Sequence, residues 1–301
     1  MALLIMILSG VFGALSNLCM RISLEGQGST RLFFVLQLFC TFLFLVGIYP
    51  VRTGVYELTS FTLLIGVGCG AALAIVKCLI GMAIKKGPSS LTFAVVNSAS
   101  VLPALLLVVF LGNAVAIQYK PLHFIGTLLV VAGLFWAGWE KSGFKKKRTW
   151  IFLALMAFVF QCFYLCLTQW YTLVMNDQSL LTHFWFADSK DIKSQWFVPL
   201  VFASAWLIHL FIYWSNERRA PTWRESFWGF WGGMFNGICA FLFIKADEIA
   251  TPTENPLLFP IFSVALIIAC NLWGQYLYQE KVNWLANTVC LLGLTLGAGA
   301  L

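Results

Sequence analysis

The sequence predicts an all-α integral membrane protein with ten transmembrane helices arranged as two inverted five-helix repeats. Three observations lead to this fold class. Of the 301 residues, 60% are hydrophobic and only 10% are charged, a composition that soluble domains do not have. Ten segments of at least 19 residues contain no Asp, Glu, Lys or Arg, and a pattern of small residues recurs in the second half of the chain. A soluble enzyme is therefore excluded.

Each of the ten uncharged segments can cross a bilayer as a helix, because about 20 residues span the hydrocarbon core at about 1.5 Å per residue. Membrane β-strands would be shorter and would alternate polar with apolar residues. Segments such as 105–111 and 257–269 are apolar at nearly every position instead. In chain order, the predicted spans are 2–20, 32–51, 58–76, 87–119, 121–139, 149–176, 194–216, 226–244, 255–279 and 282–301.

A basic loop divides the spans into two groups of five. The predicted domains are a first five-helix repeat at 1–139, the connecting loop at 140–148 and a second five-helix repeat at 149–301. The loop carries five of the 19 Lys and Arg residues. Beside a membrane span, such a cluster faces anionic lipid headgroups, so we expect a lipid bilayer and no nucleic acid as its partner. Five spans per repeat require the second copy to insert upside down relative to the first.

Small residues recur at a constant distance along the chain, which supports an internal repeat. In spans three, four, eight and nine the recurrence distance is 163 residues, and in spans five and ten it is 160. The matched pairs are Gly66 and Gly229, Gly70 and Gly233, Ala83 and Ala246, Ser100 and Ser263, and Gly133 and Gly293.

The end of each half carries a short turn before a glycine-containing helix. In the second half this turn is Gln279-Glu280-Lys281-Val282 ahead of Gly293, and in the first half it is Leu111-Gly112-Asn113. With ten spans in about 300 residues, the chain resembles the drug/metabolite transporter superfamily, EamA type. In that family a Gly usually precedes the Glu, whereas here Gln279 does. The resemblance implies a secondary transporter whose cavity is formed by spans one to four and six to nine, with spans five and ten peripheral.

Two expectations about membrane orientation disagree. Thirteen of the 19 Lys and Arg residues lie in loops on the face opposite the termini, and five lie on the face of the termini. Positive loops mark the cytoplasmic side, so this rule puts both termini outside. The family resemblance implies that both termini are cytoplasmic.

Lys77 is the leading candidate for substrate binding. It directly follows the uncharged segment 58–76 and precedes Lys85 by eight residues, which puts it about 12 Å inside the membrane boundary at Lys85. An ionisable group at that depth usually faces a cavity or a partner, and a fixed ammonium group would bind an anionic substrate group. The alternative is that the side chain extends along a tilted helix to the headgroups.

Glu254 is a possible counterpart of Lys77, able to bind a substrate ammonium group or a coupling proton. It follows Thr251-Pro252-Thr253 at a predicted helix start, so the alternative role is a cap for free backbone N–H groups.

Uncharged polar residues in the spans complete the predicted substrate site, since they orient substrates through hydrogen bonds. Interhelical hydrogen bonding explains such residues equally well. His209 and the loop 175–193, which could cover the cavity as a lid, are weaker candidates. The predicted set is Asn17, Asn97, Gln161, Tyr164, Asn236, Asn271 and Gln275.

These observations predict a secondary transporter that moves a small polar metabolite, amino-acid-like with a carboxylate, across the bacterial inner membrane by alternating access. Substrates of nucleotide, nucleotide-sugar or sugar-phosphate type are the first alternative, and a membrane-embedded enzyme is the second. No Walker-type loop is present in the sequence, so energy would come from a coupling proton or a counter-substrate. We expect no enzymatic activity, cofactor or metal site, and a monomer.

Overall fold

The computed structural model describes residues 1–26, 28–86, 89–112, 120–137, 148–176, 195–279 and 283–298. These residues form α-helices, a π-helical turn at Gly47–Val51 and a 3-10 turn at Ala99–Val101, without any β-strand. The helices are α1 (Ala2–Glu25), α2 (Thr30–Val46), α3 (Ser60–Ile84), α4 (Ser89–Ser98), α5 (Pro103–Leu111), α6 (Pro121–Ala137), α7 (Arg148–Asn176), α8 (Phe197–Asn216), α9 (Trp223–Ile249), α10 (Asn255–Tyr278) and α11 (Trp284–Ala298).

Seven of the described helices are long and apolar enough to cross a membrane, and the chain is an all-α membrane protein. They are α1, α2 with its π-helical turn, α3, α7, α8, α9 and α10, while α6 and α11 are shorter apolar helices. Several helices are longer than the uncharged segments predict: α1 continues past Arg21, α3 past Lys77, and α9 past Lys245 and Asp247. An uncharged segment is thus a minimum length for a helix, because the main-chain hydrogen bonds do not stop at the first charged side chain.

The predicted fourth span, 87–119, is not one continuous helix. Its described part consists of α4, the 3-10 turn and α5. Helix α5 begins at Pro103, a position where the missing N–H leaves no hydrogen bond unmade. Within a continuous helix, the same proline would have removed a main-chain hydrogen bond, so the interruption lies directly before it.

Neighbouring helices in the centre of the bundle come from opposite halves of the chain. Helix α1 packs against α9 and α10, α2 packs against α8 and α9, and α3 packs against α7 and α8. Helices α6 and α11 pack mainly against each other. The interior is therefore formed jointly by the two halves rather than by two separate bundles.

Two of the matched glycines allow the closest helix contacts, and their contacts correspond. A Cβ on Gly70 of α3 would clash with Val201 O and Ser204 Oγ of α8. A Cβ on Gly233 of α9 would lie 2.5 Å from Cys40 Cβ and 2.6 Å from Gln37 O of α2. Gly66 and Gly229 repeat this relation one turn away, against Leu200 and Leu36.

The contact between α6 and α11 is reciprocal. Gly133 of α6 lies against Ala286 and Cys290 of α11, and Gly293 of α11 lies against Gly126 and Val130 of α6. Each residue and its counterpart are 160 positions apart. Residue pairs that meet twice in this way are typical of a two-fold interface.

Ser100 and Ser263, another matched pair, are hydrogen-bonded to each other through their hydroxyl groups. Ser263 Oγ also donates to Asn97 O at 3.1 Å, and Ser100 Oγ donates to the same carbonyl at 2.6 Å. The broken segment between α4 and α5 is thereby tied to α10. Three sequence features lie outside the described residues: the connecting loop at 140–147, the lid candidate at 177–193 and the turn at 280–282.

Candidate functional site

A cavity of about 160 Å³ lies in the middle of the bundle. Its described lining residues come from α1, α2, α3, α4, α7, α8, α9 and α10. Helices α6 and α11 contribute none of them. The described wall of the cavity therefore comes from both halves of the chain.

Six of the nine predicted site residues line this cavity, although they come from five different helices. Most of the surrounding wall is apolar and aromatic, so these few polar groups would determine how a ligand is oriented. The six are Asn17, Lys77, Asn97, Gln161, Tyr164 and Asn236.

Lys77 is the one charged residue among the described residues that line the cavity. It forms no salt bridge with any residue that the structure describes. Its Nζ atom lies 5.4 Å from the ring centroid of Phe34, within the range of a cation–π interaction. The same ring also contacts His209, at 5.5 Å between ring centroids. The ammonium group is therefore held in the cavity by an aromatic ring and remains available to an anion.

Asn236 is positioned by a hydrogen bond across the interface of α2 and α9. Its Nδ2 atom donates to Thr41 Oγ1 at 3.1 Å, and Thr41 Oγ1 donates to Gly233 O at 2.9 Å. The amide oxygen of Asn236 is not used in this contact. Since Asn236 lines the cavity, that oxygen can accept a hydrogen bond from a ligand.

Gln37 and Thr168 also line the cavity, and the sequence analysis did not select them. Gln37 Nε2 donates to Ser16 Oγ at 2.6 Å, and Ser16 Oγ donates to Gly232 O at 2.7 Å. Gln37 Oε1 is buried and has no hydrogen-bond partner in the described part of the chain. An amide with one fixed end and one free acceptor is suited to bind a ligand N–H group. The signal for Gln37 in the sequence is the same as for the other amides, namely a polar residue within an uncharged segment.

Three of the predicted site residues lie away from the cavity. Glu254 precedes α10, and its Oε2 atom accepts hydrogen bonds from Thr251 N and Oγ1, both at 3.0 Å. Asn271 Nδ2 donates to Asn287 Oδ1 at 3.1 Å, and Gln275 Oε1 accepts from Trp284 Nε1 at 3.0 Å. Their contacts are thus a local turn and the packing of α10 on α11, which are the alternatives that their positions left open.

At one end of α9, which we call the Glu225 end, charged groups tie the two halves together. Glu225 is 3% exposed and accepts hydrogen bonds from Arg219 Nη2 at 2.5 Å, Arg219 Nη1 at 2.9 Å and Ser29 N at 2.8 Å. Ser29 Oγ donates to Glu217 Oε1 at 2.7 Å. The hydrogen bonds with Glu225 raise the pKa of the Arg219 guanidinium above its ordinary value, so this group stays charged.

At the other end of α9, the Asp247 end, the contacts between α3, α7 and α8 involve hydroxyl groups and rings. Thr62 Oγ1 and Tyr171 Oη are 3.3 Å apart. The ring of Tyr171 stacks on Phe197 with 3.7 Å between centroids. Phe197 lines the cavity, so this aromatic stack forms the cavity wall at the Asp247 end.

Comparison with known proteins identifies the fold but no activity. No family model matches the chain, and no curated protein shows significant similarity to it. A solved structure described as "Crystal structure of protein" matches with a TM-score of 0.73 at 14% sequence identity. The match covers 99% of this chain and 95% of that chain. The two proteins therefore share a fold over nearly their full lengths.

Proposed function

We propose that the protein is a secondary transporter that moves a small polar metabolite across the membrane by alternating access. The observation that carries this proposal is the central cavity with its unpaired Lys77, enclosed by helices from both halves of the chain. Transporter binding sites typically lie at the middle of the bundle, where two structural repeats meet. A charged group in such a place is otherwise costly, and binding a substrate anion would offset that cost.

The proposed architecture is ten spans in two inverted repeats, 1–139 and 149–301, joined by the loop 140–148. The matched contacts of Gly70 with α8 and Gly233 with α2 support it, and so does the reciprocal contact of Gly133 and Gly293. A two-fold relation within one chain requires that each contact of the first half has a counterpart in the second. Rocking of the two halves around the cavity would open one end at a time.

The proposed substrate is amino-acid-like, with a carboxylate that pairs with Lys77. The volume of about 160 Å³ is close to that of an engineered cavity that accepts one benzene molecule, and so favours a small ligand. A nucleotide, nucleotide sugar or sugar phosphate could also pair with Lys77 through phosphate, but the cavity would have to enlarge. We further propose a monomer in a bacterial inner membrane, driven by a coupling proton or a counter-substrate.

The experiment that tests this function starts from purified protein in detergent. The melting temperature is measured with a panel of amino acids, nucleotides and sugar phosphates, because a ligand that binds the folded state raises it. Compounds that stabilise the protein are then tested for counterflow in proteoliposomes. The vesicles are loaded with the unlabelled compound, and the same compound is added outside as a radioactive tracer.

We expect one compound class to stabilise the protein and to exchange across the vesicle membrane without chemical change. Chemical conversion of the tracer would instead support the membrane-embedded enzyme. Vesicles without saturable counterflow for any stabilising compound would overturn the transporter.

A further inference from the structure

Asp247 is a buried carboxylate that the substrate site does not use. It lies in the last turn of α9 and is 4% exposed. Its neighbours Lys245 and Glu248 face outward and form a salt bridge of 3.1 Å with each other. Asp247 therefore points into the bundle, while the charges beside it are satisfied at the surface.

The carboxylate has little to stabilise a negative charge. Among the described residues, its Oδ2 atom has no hydrogen-bond partner and Asp247 has no salt-bridge partner. The side chain of Thr172 on α7 lies within hydrogen-bonding reach of the carboxyl group, and one neutral contact stabilises a buried negative charge only weakly. An ionised carboxylate in such a place is costly, and a bound proton removes that cost.

Two rows of residues connect Asp247 with the cavity. On α9, Asp247 follows Phe243 and Ile244, both of which line the cavity, by one turn. On α7, Thr172 follows the cavity residue Thr168 by one turn, and Thr172 Oγ1 donates to Thr168 O at 3.0 Å. A proton on Asp247 is thus about one helical turn, or about 5.4 Å, from the wall of the cavity.

The other titratable groups at this end of the bundle do not neutralise Asp247. Glu248 is paired with Lys245, and Glu254 accepts hydrogen bonds from Thr251. The helices packed against α9 contribute further titratable groups at this end, none of which reaches Asp247 Oδ2. These are the Met1 amino group before α1, Tyr49 and Arg52 at the end of α2, and Tyr171 on α7.

We propose that Asp247 is the proton-binding residue that couples transport to a proton gradient. When the Asp247 end is closed, the cavity is open to the opposite side of the membrane, and the carboxyl group takes up or releases its proton through the cavity. When this end opens, water reaches the carboxyl group, which releases or takes up a proton there. The cycle moves one proton across the membrane without forming or breaking any other bond. This inference rests on the proposed transporter function and assigns its driving ion.

The first test needs no substrate. Infrared spectra of the reconstituted protein are compared between wild type, Asp247→Asn and the matched control Glu248→Gln. We expect the carbonyl band of a protonated carboxyl group in wild type and in Glu248→Gln, and its loss in Asp247→Asn. An Asp247→Asn spectrum that keeps the whole band would overturn the proposal, whether or not the protein proves to be a transporter.

The second test uses the stabilising compound from the ligand panel in proteoliposomes. Accumulation driven by a pH gradient is compared with counterflow at equal pH. In Asp247→Asn, we expect gradient-driven accumulation to fall to the level of protein-free vesicles and counterflow to fall far less, with Glu248→Gln resembling wild type.

Gradient-driven accumulation in Asp247→Asn at the wild-type level contradicts the coupling role. Loss of ligand-induced stabilisation together with both activities would make Asp247 a structural residue and also overturn the proposal. Failure of wild type in counterflow would instead count against the transporter function and leave the infrared result standing.

Discussion

Helices α3 and α9 occupy matched places in the two halves and differ in their charges. Thr59 and Thr222 cap them in the same way, each accepting a hydrogen bond from the N–H three residues later. Gly70 and Gly233 correspond, as do Gly66 and Gly229. Five matched positions carry a charge in one helix only. In two of them, Arg224 against Phe61 and Lys245 against Met82, the charged residue is exposed. In the other three the charged residue is buried or half-buried: Lys77 against Ala240, Glu225 against Thr62, and Asp247 against Ile84.

The comparison separates residues that form the contacts between helices from residues that serve a ligand or one end of the bundle. A close helix crossing needs a small residue at the point of contact, whichever half supplies the helix, so the glycines are shared. A charged group serves one ligand or one end of the bundle. A second copy of that group in the other half would place another charge in the membrane, which is energetically costly. Positions where matched helices disagree are therefore the places to look for function.

The largest effect is expected from Lys77→Ala, which leaves both helices with alanine at the matched position. Losing a charge-assisted hydrogen bond of about 1.5 to 3 kcal/mol weakens binding about ten- to hundredfold, and we expect transport to be abolished. Lys77→Arg should restore transport only in part, since its planar fork is not equivalent to an ammonium group. Counterflow and membrane insertion are measured together.

The matched control for this change is Lys85→Ala, which removes an exposed lysine that follows α3 and should transport normally. Adding Ala240→Lys to Lys77→Ala moves the positive charge to the other helix but keeps it on the cavity wall. We expect this swap to recover part of the ligand-induced stabilisation. Full transport by Lys77→Ala alone would show that Lys77 does not bind the substrate.

The next effect tests what the two helices share. Gly70→Ala and Gly233→Ala should destabilise the protein to a similar extent, by about 1 to 3 kcal/mol or more, because the added Cβ meets main-chain atoms that cannot move aside. Thermal unfolding in detergent and size-exclusion profiles measure this loss. Gly68→Ala is the control, because a Cβ on Gly68 of α3 meets nothing within 4 Å. Equal stability of the three variants would argue against a shared crossing.

A smaller loss of stability is expected from changes in the first turns of α9 and α3, which lie at opposite ends of the bundle. Glu225→Gln should lower stability by about 1 to 3 kcal/mol, since Arg219 and Ser29 lose a charged partner. The matched change Thr62→Val removes two neutral hydrogen bonds, with Thr59 and with Tyr171, and each should contribute about 0.5 to 1.5 kcal/mol. Melting temperatures at low and high salt distinguish the two ends, because only the Glu225 contribution should weaken with salt.

The smallest effect concerns the residues that end α5 and α10. Gly112 has φ of 56° and Gln279 has φ of 52°, so both are in the left-handed region. Glycine adopts this region without penalty, whereas other residues are strained there by about 1 kcal/mol or more. Gln279→Gly should therefore stabilise the protein by about 1 kcal/mol, and Gly112→Ala should destabilise it. A lower melting temperature for Gln279→Gly would contradict this explanation.

The helical membrane fold and Lys77 could be predicted from the sequence because both depend on charge in an apolar context. An uncharged run of 19 residues has few alternatives to a spanning helix. A lysine that follows such a run within the membrane usually faces a cavity or a partner. The position of the break before Pro103 was accessible in principle, since a proline inside a span restricts the residues before it.

The remaining site residues depend on which way each helix faces, which a single sequence does not specify. Asn236 and Asn271 are chemically alike, yet one lines the cavity and the other bonds α11. The sequence analysis does not select Asp247, because the predicted span 226–244 ends before Lys245. The spacing of Gly233, Ala240 and Asp247 by seven residues was a usable signal, because it continues one helix face for two more turns.

The reciprocal contact between α6 and α11 does not depend on the chain being continuous. Gly133 meets the counterparts of the residues that Gly293 meets, as in an interface between two identical subunits. In the inverted-repeat architecture that we propose, a single five-helix chain inserted into the membrane in both orientations would form the same contact between two copies. The peptide connection between the halves then fixes their ratio and their pairing rather than the shape of the assembly.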